Sequence, residues 1–141
     1  MASIVYNSFL GDVFAGNCNT THTYKALLTT NAYSENRATH TKRSDITSEV
    51  TGTGYTAGGS VIVPTFAISN VNNLGTLTIP SISWTSITTT ARKLIVYRSR
   101  GGASTADELV CCVDNGEDLV VTSGTLSISF IRWEIPLPPP V

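Results

Sequence analysis

The sequence predicts an all-β fold: a jelly-roll-like β-sandwich with a short N-terminal helix and an extended proline-rich C-terminal tail. Three observations carry this prediction. From Thr23 onward, short runs of β-branched and aromatic residues are bounded by Gly, Asn, Asp, Ser or Pro. Only the first segment repeats its apolar residues at helical spacing. The 141 residues fit one domain, which at this size buries roughly two-thirds of its unfolded surface.

The elements follow in order. Residues 2–16 form the helix or arm, because Val5, Phe9 and Val13 fall at i, i+4 and i+8 with Ile4 beside them, and Gly16 and Asn17 stop it. Asp12 interrupts this segment and no charged region precedes it, unlike a signal peptide. Residues 23–135 form the sandwich. Its first strand spans 23–30, and a long polar connection over 31–45 is functional or mobile. Residues 46–50 read as a helical turn or a short strand, capped by Ser44 or Asp45. Further strands are expected at 60–64, 66–69, 76–79, 82–86, 92–98, 109–114, 119–121 and 125–133. In the last, Leu126, Ile128 and Phe130 alternate against Ser127, Ser129 and Ile131. Roughly seven to nine short strands indicate a sandwich or jelly roll. Residues 136–141, Pro-Leu-Pro-Pro-Pro-Val, favour a polyproline II extension that leaves the sheet.

Composition narrows the function. The net charge is −1 and 13% of residues are charged, against about a quarter in ordinary domains. A concentrated basic face for nucleic acid or an anionic membrane is therefore not expected, and apolar runs such as 60–64 are too short to span a bilayer. The polar surface is Thr, Ser, Asn and Gly, which desolvates at far lower cost than charge. That suits a subunit packed in an assembly, and equally a stable extracellular β domain. Cys111 and Cys112 are adjacent, so on a strand they point to opposite faces. With Cys18 they read as free structural thiols of a protein made in a reducing cytoplasm. His22 and His40 are far apart and no metal-ligand spacing exists. No cofactor is expected.

The stretch Gly52-Thr-Gly-Tyr-Thr-Ala-Gly-Gly59 holds four of the 11 glycines and raises the question of phosphate binding. Its spacing is one residue longer than GxGxxG, no lysine is present, and the β-branched 60–64 follows where a helix would have to start. It reads instead as two glycine corners framing Tyr55. His40 and Asp45 share a loop with Ser44, but no GxSxG elbow exposes a nucleophile. The pairs Asp107/Glu108 and Glu117/Asp118 sit in turn-like contexts where carboxylates bond local backbone. Trp84 and Trp133 read as core residues before sugar platforms. An enzyme is not expected.

Three stretches carry a family resemblance. Residues 24–33 (YKALLTTNAY), 39–50 (THTKRSDITSEV) and 52–59 (GTGYTAGG) resemble the runs KVALLTSSY, DTHTKxSDVTNEV and GTGYTAGG of a family of tailed-phage virion proteins. The opening VYNSFLGDVFAGN, Ser83-Trp-Thr, Thr90-Ala-Arg92 and Val96-Tyr97 are also similar. The tail from Pro136 has no counterpart. The resemblance implies a capsid cement or decoration protein with a jelly-roll fold. Such a subunit would lie on the outer surface of an HK97-type shell, bound to the major capsid protein and self-associated as a dimer or trimer. The alternative is a tail or fibre component. On this expectation the partner-binding residues are Val5, Phe9 and Val13 on the helix, His40, Lys42 and Arg43 in the polar loop, and Tyr55. The tail adds Leu137, Pro138, Pro139, Pro140 and Val141.

Overall fold

A computed structural model describes residues 3–129 and 131–136. It is a two-sheet antiparallel β-sandwich with one short helix. The elements are β1 (Ile4–Val5), α1 (Asn7–Phe14), β2 (Tyr24–Thr29), β3 (Ser60–Ile62), β4 (Thr65–Ser69), β5 (Leu74–Ile79), β6 (Ile82–Arg98), β7 (Leu109–Ile128) and β8 (Ile131–Pro136). A 5-stranded sheet has the order β1-β7-β6-β2-β3, and a 3-stranded sheet the order β4-β5-β8.

The larger sheet is covered on both faces. Leu28, Leu94, Val96, Cys111 and Val113 point into the space between the sheets, joined there by Leu77, Ile79, Trp84 and Leu126. Leu27, Ile95, Tyr97, Leu109 and Cys112 point the other way, into a second core closed by Tyr6, Tyr33 and Ile46. Burial on both faces explains why 26–28, 94–97 and 109–113 are continuous apolar runs with no alternation. It also assigns the adjacent cysteines to different cores, and burial pushes both thiols up to about 12.

Four expectations need correction. The helix is shorter than 2–16: residues 4 and 5 are strand instead, with Val5 opposite Cys111. The two expected strands at 82–86 and 92–98 are one 17-residue strand. The threonines between them carry β-branched side chains and continue the ladder to β7, through register shifts at Trp84/Ile87, Ile87/Thr89 and Ala91/Lys93. Likewise β7 runs through the turn-like Asn115-Gly116-Glu117-Asp118. There Gly116 takes φ 86° and donates to the Asp114 carboxylate at 2.8 Å, so turn chemistry produces a bulge rather than a strand end.

The last strand is the fourth case. Residues 125–133 are not one strand, since the chain leaves the larger sheet after Ile128 and enters the smaller one at Ile131. Changing sheets reverses which side of the strand meets the core, so Ile131 and Trp133 join Leu126 and Ile128 in one core. Phe130 lies outside the described residues. Pro136 is still in the ladder, opposite Leu74, as a proline at the end of an edge strand allows. Leu137 to Val141 also lie outside the described residues.

Candidate docking surface

The glycine-rich stretch is where the polar connection is fastened to the larger sheet. β3 covers β2 only from Tyr24 to Ala26. Beyond it, Val50 N–H donates to the Leu28 carbonyl at 3.0 Å, and Leu28 N–H donates to the Tyr55 hydroxyl at 3.1 Å. That hydroxyl in turn donates to Glu49 at 2.7 Å, and the same Glu49 oxygen accepts Gly58 N–H at 2.6 Å. Tyr55 therefore completes the edge of β2 and lies beside Trp84, with ring centroids 6.3 Å apart. Gly59 sits at φ 78°, and a Cβ there would collide with the Ala26 carbonyl. Gly52 meets Thr88 just as closely.

The polar loop is held inward by charge. Asp107 and Glu108 are each 1% exposed. Arg43 Nε donates to Asp107 at 2.8 Å, while Arg100 forks onto Glu108, with Nε 3.0 Å from one oxygen, and Lys42 lies 3.5 Å away. Burial alone would raise the Glu108 carboxyl, but the Arg100 hydrogen bonds, a backbone N–H and the charges of Lys42 and Arg100 together outweigh it and hold the group below the usual range. Asp45 accepts Lys42 N–H and Thr41 N–H, and these hold its carboxyl down too. Farther along, Lys93 donates to the Tyr33 carbonyl at 2.7 Å and pairs with Glu35. Tyr6, Tyr33 and His40 form a chain of hydrogen bonds, 2.8 and 2.9 Å long. Lys42, Arg43 and His40 thus have partners within the chain.

The outward surface lies elsewhere. α1 places Phe9 in the core at 8% exposure and leaves Phe14 at 92%, with Leu10 and Val13 about half exposed. Between α1 and the smaller sheet opens an apolar groove of about 540 Å³, lined by Phe9, Leu10, Val13, Phe14, Phe66 and Ile135 among others. Phe66, Ile68 and Val71 continue the exposed apolar surface along β4 and its turn.

Of the described residues expected from sequence, only Phe9 and Val13 line this groove. Val5 packs against the core, Tyr55 lies at the edge of β2, and the 40–43 segment covers the opposite face of the larger sheet. Leu10, Phe14, Phe66, Ile68 and Val71 were missed. For Phe66, Ile68 and Val71 a signal was present: no charged residue stands between Glu49 and Arg92. Among the described residues no group of three His, Cys, Asp or Glu side chains is placed to hold a metal. No helix there is long and apolar enough to cross a membrane. No family model, curated protein or solved structure matches the chain.

Proposed function

We propose that this chain is a phage capsid cement protein, a jelly-roll subunit that binds the outer surface of the major capsid shell and bridges capsomers. The observation that carries this reading is the uncharged apolar surface around the α1 groove, with Phe14 92% exposed. Exposed apolar area of this kind marks a protein-binding surface. The resemblance of 24–33, 39–50 and 52–59 to tailed-phage virion proteins supports the choice of partner.

The mechanism is thermodynamic. A subunit whose contacts span two capsomers binds the assembled shell and not its separated parts. It therefore stabilises the assembled state by mass action, by about 2.7 kcal/mol per site at a hundred times the dissociation constant. Repetition over the shell multiplies a modest contact. Leu10, Val13 and Phe14 supply the contact, and the uncharged lining of the groove beside them is covered without stripping water from ions. The C-terminal residues 137–141 remain part of the proposal as a second attachment. Removing them alone, and leaving Pro136 in β8, tests that part by shell occupancy.

Cryo-electron microscopy of the particle that carries this protein tests the whole reading. Density for the subunit on the head surface, across capsomer boundaries, is expected. Density confined to the tail overturns it in favour of a tail or fibre component.

A further inference from the structure

The outer edge of β4 raises a separate question. Among the described residues no strand pairs with it, and all five of its residues, Thr-Phe-Ala-Ile-Ser, are exposed or half-buried. An open edge normally carries a lysine, an internal proline, a bulge or an inward charge that blocks pairing with another chain. β4 has none of these: its register to β5 is unbroken from Thr65/Thr78 to Ser69/Leu74, and no charge lies near it in sequence. Phe66 and Ile68 stand on the core-facing side of their sheet, since Phe66 is opposite the buried Leu77. Yet they are 50% and 53% exposed. Both lean over Gly75, where a Cβ would stand 3.1 Å from the Phe66 ring.

We infer that β4 is the seam of a symmetric dimer, in which it pairs antiparallel with β4 of a second copy about a twofold axis through Ala67. The strand suits itself as a partner. With Ala67 at the centre, Thr65 lies opposite Ser69 of the copy and Phe66 opposite its Ile68. An aromatic and a β-branched side chain, each uncovered in the single chain, then meet twice, a favourable cross-strand pair. No like charges are brought together, because neither strand carries any. The two small sheets become one, and the pairing closes on itself, as a twofold interface does. The inference does not depend on where in a particle the subunit sits; it concerns the full chain in solution.

Light scattering on the eluting full chain should give the mass of two chains, and Ile68→Lys should give the mass of one with an unchanged circular dichroism spectrum. Ala67→Cys gives the sharper test. Directly opposed residues of an antiparallel pair have Cα atoms about 4.5–5.5 Å apart, within disulfide range, and Cys18, Cys111 and Cys112 are all buried. Mild oxidation should therefore link Ala67→Cys chains in pairs. Thr78→Cys, one strand farther from the axis on each side, should not link. A monomeric wild-type chain, a trimer, an open-ended series, or equal linking of both variants would overturn the inference. So would a chain that dimerises only once 137–141 are removed, because those residues would then be what covers the edge. If Ile68→Lys fails to fold, the cysteine pair still decides.

Discussion

The two ends of this sandwich are built on different chemistry. Around the C-terminal half of β6, the first half of β7 and the polar loop, charges are abundant and turned inward: Asp107 and Glu108 are 1% exposed and Lys93 6%. The stretches 50–91 and 119–131 contain no charge at all, and they carry exposed Phe66, Ile68, Val71 and Val120. The contrast separates inward-turned charge from exposed apolar surface. Buried ion pairs fix a long loop in one position, since a slipped register would leave a desolvated carboxylate without its cation. The uncharged end is held by close backbone packing at glycines, and its outer surface carries no ions whose desolvation a contact would cost.

Three substitutions test this division. The largest effect is expected for Gly59→Ala, in the uncharged stretch. The left-handed conformation costs roughly 1–3 kcal/mol without glycine, and the new Cβ also forces the loop off the Ala26 carbonyl. A loss of about 3 kcal/mol or more in urea unfolding is expected; a loss within experimental error would mean the loop is not clamped to β2.

Arg100→Ala should come next, with a smaller loss than Gly59→Ala, because the buried Glu108 keeps only Lys42 of its two cations. A pH series adds a second readout. Glu108 is held below the usual carboxylate range in the folded chain. Its contribution is therefore complete above the unfolded value of about 4.3 and is lost as pH falls through the lower folded one. Asp45 and Asp114 act in the same direction. In Arg100→Ala the acid-dependent loss should be shallower, since part of it is already gone at neutral pH. An unchanged acid limb would remove the cluster from the account of stability.

The smallest effect on folding belongs to Phe14→Ser. A side chain 92% exposed should change stability by less than about 0.5 kcal/mol, while binding to shells weakens. A large loss of stability would place Phe14 in the fold rather than on a docking surface.

Much of the β framework was legible along the chain. β2 and β3 stand within two residues of their expected ends, the turn between β4 and β5 falls at its polar run, and the glycine corners around Tyr55 take the positive φ expected of them. These features depend on local sterics: β-branched side chains, glycine φ and proline. The site was less legible. The Val5, Phe9 and Val13 stripe dissolved because Val5 pairs with β7, a partner more than a hundred positions away. Lys42 and Arg43 read as partner-binding residues of the polar loop because the carboxylates they meet lie far along the sequence, in a segment that reads as a turn.

What could be derived from residue order alone is the all-β class, one helical start, and the reading of Gly52 to Gly59 as two glycine corners framing Tyr55. Local conformational preference and turn chemistry suffice for those. Which short runs merge into β6 and β7, which cysteine faces which core, and whether Phe14 and Phe66 end up covered were decided only in three dimensions. Each depends on strand pairing between distant segments, and no local pattern specifies the partner a strand will find.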